Sequence, residues 1–133
     1  MITALYAGLL TPIFVFLGIN VIRARRKNLV PVGDGGNTLL LRRMRVQANF
    51  AEYVPLALIL MVLIELMKGS HILLHVMGVV LFVGRLSHAY GMSQVRENFV
   101  FRVSGMAATL SVLLIGAGSC IILALMRGVF SAL

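Results

Sequence analysis

Charge is scarce in this chain. Asp, Glu, Lys and Arg make up 12% of its 133 residues, while 60% are hydrophobic. Soluble domains carry about 25% charged residues, so this composition excludes an ordinary soluble protein and points to membrane spans. A mean hydropathy of +1.02 agrees. The single cysteine, Cys120, excludes an internal disulfide, and its position in an apolar run reads as helix packing. No basic segment precedes the first apolar stretch and no small-residue cleavage site follows it, so residues 1–22 read as a retained span and not as a signal peptide. The glycine run Gly33-Asp34-Gly35-Gly36 precedes no strand and lacks the Lys-Ser/Thr of a phosphate-binding loop, which excludes that nucleotide motif. No internal repeat stands out.

Four apolar stretches remain, at about residues 1–22, 38–67, 71–90 and 102–126, joined by a basic loop, a Gly69-Ser70 turn and a polar connection at 91–101. The expected fold class is all-α, an integral membrane four-helix bundle that occupies residues 1–133 as one domain. The uninterrupted apolar parts of the second and third stretches are short, 54–64 and 76–84. A bilayer core needs about 20 helical residues, so the polar ends of both helices must lie at or near membrane depth. A protein-lined cavity is the natural consequence.

The net charge of +8 would indicate nucleic acid in a soluble protein. Here the basic residues flank apolar spans, so membrane lipids with anionic headgroups are the expected partner and nucleic acid is not. With four alternating spans, loops one and three collect Arg23, Arg25, Arg26, Lys27, Arg42, Arg43, Arg45, Arg85, Arg96 and Arg102, against Lys68 and Arg127 on the other side. The positive-inside rule places the first set in the cytoplasm and both termini opposite.

Within that basic end lies a polar constellation. Arg45, Asn49 and Glu52 follow an i, i+4, i+7 spacing and share a helix face, and Arg85 and His88 share another at i, i+3. Antiparallel spans bring these groups to one membrane side, with Arg26 and Arg102 bordering them. An ionisable group inside a span costs roughly 2.5–3.5 kcal/mol on insertion scales, so it needs a partner or a task. Guanidinium groups bind carboxylates in bidentate fashion, Glu52 can accept an ammonium, and Asn49 offers both donor and acceptor. The set therefore suits a small anion that carries carboxylates and an amine, and a cationic pocket would also stabilise a bound thiolate. A purely structural alternative stands beside this: Glu52 pairs with Arg45 or Arg85 to hold the bundle together. His71 and His75 are spaced for a metal, but no neighbouring acid or cysteine completes a site, so none is expected. Tyr6, Tyr53 and Tyr90 sit near span ends, where an interfacial position is the default.

These residues carry a resemblance. Arg45-Val-Gln-Ala-Asn49-Phe-Ala-Glu52-Tyr53-Val-Pro55-Leu resembles the second-helix signature of the membrane-associated proteins in eicosanoid and glutathione metabolism, the MAPEG family. Gly84-Arg85-Leu-Ser-His88 is similar to its third-helix signature, and Val21-Ile-Arg-Ala-Arg25-Arg26 to the end of its first helix. The likeness covers nearly the whole chain and is nearest to bacterial-type members similar to microsomal glutathione transferases.

The resemblance implies a homotrimer in a bacterial inner membrane, with glutathione bound between subunits near the cytoplasmic face. By it, Arg26, Arg45, Asn49, Glu52, Arg85 and His88 bind glutathione, and Arg102 is the catalytic residue that stabilises the thiolate, with Ser104 near it. The implied activity is a glutathione-dependent transferase, with lipid-hydroperoxide peroxidase as a further activity, acting on apolar electrophilic small molecules that arrive through the bilayer. The chain departs from the family in having Met92 where a tyrosine contacts glutathione, and Tyr90 lies two residues earlier, nearly opposite on the helix. Two alternatives remain open at this point: a non-catalytic protein of the same fold that binds glutathione or a lipid anion, and a small multidrug-type transporter. The first span lacks the acidic residue that such transporters use.

Overall fold

The structure, a computed structural model, describes residues 1–94, 96 and 98–131, with side chains as far as 127. It contains four helices: α1 (Ile2–Asn28), α2 (Thr38–Leu66), α3 (His71–Ser93) and α4 (Phe99–Ser131). All four are long and apolar enough to cross a membrane.

Side chains supply the partners that the helix ends lack. The first N–H groups of α1, at Ile2 and Thr3, donate to the Glu65 carboxylate of α2, and the Met1 amino group lies 3.9 Å from the same carboxylate. An anion at a helix N-terminus satisfies orphan donors and complements the helix dipole. This gives Glu65 a structural task at the outer end of the bundle. The helix continues past residue 22, where the apolar stretch ends, to Asn28, and its last turn carries Arg25, Arg26 and Lys27. Arg25 then turns back and donates to the carbonyls of Val30, Pro31 and Gly33, which staples the following loop. In that loop Gly33, Gly35 and Gly36 all adopt positive φ, so the glycine run serves chain reversal. Asn37 caps α2 by accepting from the Leu40 N–H, and Ser70 caps α3 by accepting from the Leu73 N–H.

The connection between α3 and α4 is tighter than the sequence implies. It occupies 94–98, where the polarity of 91–101 suggests a longer loop. A Cβ on Gly91 would lie 2.6 Å from the Arg102 backbone nitrogen, so the missing side chain lets α3 remain helical directly against α4. Asn98 then caps α4, accepting from the Phe101 N–H.

The packing is a diamond. α2 and α3 form its short diagonal, while α1 and α4 each pack on both and do not meet among the described residues. Tyr6, Leu10, Phe50, Val54, Met61, Leu74, Met77 and Leu81 fill the centre. α3 and α4 make the most extensive contact. Their closest approach uses Gly84 and Gly105: a Cβ on Gly105 would collide with the Gly84 carbonyl and with His88. Small residues permit this close backbone approach between membrane helices. It also places His88 and Arg85 directly against α4.

Gly105→Ala should therefore destabilise the fold by about 1–3 kcal/mol through overpacking. Gly118→Ala, where an added Cβ meets nothing within 4 Å, should be neutral or stabilising, since Gly costs roughly 0.5–1 kcal/mol in a helix. Unfolding of both variants in mixed detergent micelles, followed by helical circular dichroism, measures the difference.

Candidate functional site

Arg85 is completely buried. Its guanidinium meets no carboxylate among the described residues. One nitrogen, Nη2, donates to the Asn49 side-chain oxygen at 2.8 Å and lies 3.3 Å from His88 Nδ1. The other, Nη1, reaches Thr109 Oγ1 at 3.5 Å, and the Thr109 hydroxyl in turn donates to the Gly105 carbonyl. The Phe50 ring covers the guanidinium with its centroid 5.4 Å away. Nε has no partner.

Burial of a charge without a counter-ion costs several kcal/mol. Hydrogen bonds to a charged group recover about 1.5–3 kcal/mol each, and a desolvated cation–π contact about 2. The cluster of Asn49, Phe50, His88 and Thr109 thus stands in for the missing carboxylate and leaves Nε as the one unpaired nitrogen.

Beside this cluster lies a cavity of about 540 Å³, within the roughly 300–1,000 Å³ of small-molecule sites. Asn49 of α2 and His88 of α3 line it together with a face of α4 made up of Phe99, Arg102, Val103, Met106, Ala107 and Leu110. Four of the sequence candidates therefore converge within one protomer, three on the cavity and Arg85 immediately behind it.

The remaining three stand apart. Arg26 lies exposed at the end of α1 beside a separate hollow of about 400 Å³ with Ile22, Leu29, Val30 and Pro31. Arg45 and Glu52 are exposed on the outward face of α2. The structural alternative for Glu52 fails within the protomer, because the ion pair among the described residues is that of Met1 with Glu65. Arg45, Asn49 and Glu52 instead begin a continuous stripe with Leu56, Ile59, Leu63 and Leu66, spaced alternately four and three residues apart. These four apolar residues are 51%, 55%, 43% and 64% exposed. On a membrane span such a stripe faces either lipid or another helix, and its spacing matches that of helix-packing seams.

Several other residues resolve differently from their sequence reading. Ser104 donates to the Phe101 carbonyl and lies 3.4 Å from the Ser87 hydroxyl, in a groove on the far side of α3 and α4 from the cavity. Met92 packs against the apolar core. Tyr90 points outward, edge-on to Phe101. No tyrosine therefore lines the cavity. Tyr6 is buried against His75, with its hydroxyl 3.0 Å from Nδ1. Sequence reasoning passes over Phe50 and Thr109. Phe50 is adjacent to Asn49 but gives no polar signal, while Thr109 follows Gly105 by one helical turn.

Comparison with known proteins agrees with this arrangement. The family model described as "MAPEG family" matches residues 3–122. The chain is 37% identical over 115 residues to the inner membrane protein YecN of Escherichia coli strain K12, covering 86% of each chain. The YecN of E. coli O6:H1 strain CFT073 matches to the same extent. With the family model matched over residues 3–122 and the similarity to YecN extending over 86% of each chain, this chain belongs to the MAPEG family.

Proposed function

We propose that the protein is a glutathione-dependent membrane transferase whose sites are completed between the subunits of a homotrimer. The observation that carries this reading is the cavity. Its polar lining is Asn49, His88 and Arg102, backed by a buried Arg85 that meets no carboxylate among the described residues, and the rest of its lining, from α4, is apolar. The donor set fits a tripeptide with two carboxylates. Glutathione would bring a nucleophilic thiol to the polar lining. Arg102 would stabilise the thiolate electrostatically, and Asn49 and His88 would orient the ligand, so catalysis would rest on charge stabilisation and proximity. The apolar lining from α4 faces the side on which that helix exposes Val103 and Leu110, a route by which an electrophile dissolved in the bilayer could enter. Lipid hydroperoxides are included in that class of substrate.

The exposed α2 stripe supports the trimer. Packing the seams of neighbouring copies together would bury Leu56, Ile59 and Leu63 and bring Arg45 and Glu52 to a subunit boundary. Arg26, outside the protomer's cavity, would reach a neighbour's site in the same way. The similarity to YecN supports an inner-membrane location, and the basic loops support a cytoplasmic position for the site.

A second reading has its own support. With Met92 turned into the core and Tyr90 turned outward, the cavity has no tyrosine, which favours a protein that binds glutathione without turnover.

The thiolate ultraviolet difference spectrum of the purified protein with glutathione separates these readings. Transferase function predicts a saturable signal at neutral pH, reduced on the order of tenfold by Arg102→Ala, the change expected when one guanidinium contributes about 1.4 kcal/mol. Glu52→Ala should weaken saturation while preserving the signal at high glutathione. Binding without thiolate formation would identify the non-catalytic protein, and absence of binding would refute both readings.

A further inference from the structure

Arginine has five N–H donors and no acceptor. This fixes the orientation of everything that Arg85 touches. Asn49 must turn its carbonyl oxygen toward Nη2, which leaves the amide Nδ2 as the group free to face elsewhere, and its contact within the protomer is the Met106 sulfur at 3.9 Å. His88 must present an unprotonated Nδ1 to Nη2, so its ring proton resides on Nε2. Thr109 spends its hydroxyl proton on the Gly105 carbonyl and can only accept from Nη1. Asn49 and His88 are the two residues of this cluster that also line the cavity.

We propose that Arg85 is a positioning residue that acts through Asn49 and His88: it occupies their acceptor atoms and thereby converts the inner wall of the cavity into a donor-only surface. Asn49 offers Nδ2–H and His88 offers Nε2–H. A wall without acceptors selects a group that has only acceptors, a carboxylate or a thiolate, and discriminates against an ammonium or amide N–H. Buried polar groups left unpaired by the wrong ligand make such discrimination steep. The ligand's amine must then be recognised elsewhere, and Glu52, outside the cavity on the α2 seam, is the group suited to it. Arg85 itself is completely buried and does not line the cavity. The proposal rests on the glutathione reading for the identity of the ligand, but the orientation of the wall is a property of the ligand-free protein.

The test is the tautomer of His88. The chain has three histidines, His71, His75 and His88, so long-range nitrogen–proton correlation spectra of ¹⁵N-histidine-labelled protein in detergent can be assigned with the His88→Gln variant. Wild type should show a pyridine-like Nδ1 and a proton-bearing Nε2 for His88 before any ligand is added. Arg85→Lys, which retains donors and lacks acceptors, should keep that pattern, whereas Arg85→Met should release it to a mixture of tautomers. Should Arg85→Met fail to fold, Arg85→Gln decides in its place: its amide oxygen can accept from Nδ1–H, so the Nδ1–H share should rise, and an unchanged Nε2–H tautomer would overturn the proposal. An Nδ1-protonated or doubly protonated His88 in wild type would overturn the proposal, and so would an unchanged Nε2–H tautomer in folded Arg85→Met. Titration with glutathione and then S-methylglutathione identifies the acceptor group. A shift of the Nε2 proton with both indicates the carboxylate, and a shift with glutathione alone indicates the thiolate. A spectrum insensitive to glutathione would refute the glutathione reading while the ligand-free tautomer still decided the role of Arg85.

Discussion

A guanidinium buried in a membrane bundle without a carboxylate is the constraint around which this protein is organised. Arg85 can occupy the interface of α2, α3 and α4 because Asn49, His88, Thr109 and the Phe50 face share its solvation. Each partner depends on a feature of the chain beyond itself. Thr109 reaches Arg85 because Gly84 and Gly105 let α3 and α4 approach closely. Asn49 reaches it because Phe50, the next residue, is anchored in the core and stacked on Phe14. The glycine contact and the aromatic packing are therefore as much a part of the site as the residues that line it.

The protomer holds only part of the constellation. Asn49, Arg85, His88 and Arg102 form one group, while Arg26, Arg45 and Glu52 face outward. The same α2 face that carries Arg45 and Glu52 continues as Leu56, Ile59, Leu63 and Leu66, so charge and apolar surface leave the protomer together. The two halves of the bundle divide the work: Glu65 clamps the N-terminus of α1 at one end, and the cationic cluster occupies the other.

Much of this was legible in the sequence because membrane helices leave a strong, long-period signal. Scarcity of charge gave the spans, and alternation of the spans placed loops one and three at one end. Spacing along α3 correctly paired Arg85 with His88. Spacing along α2 was less informative than it appeared. Arg45, Asn49 and Glu52 do share a face, yet that face is tangential to the protomer, and only Asn49 turns far enough inward to meet Arg85. The polarity of 91–101 suggested a loop because Gly91 carries no apolar mark, although its lack of a side chain is what keeps α3 against α4. The role of Glu65 was hidden because a helix-capping contact across 63 positions has no local signature. The role of Thr109 was hidden for the same reason.

Under the proposed function each protomer holds an incomplete site, closed by packing α2 seams against one another. Native mass spectrometry of the protein released from lipid nanodiscs, with glutathione bound and counted, tests it directly. The account predicts a trimer that binds glutathione, and a double variant Leu56→Lys, Ile59→Lys that runs as a helical monomer and no longer binds. A monomeric variant that retains wild-type glutathione affinity would contradict it.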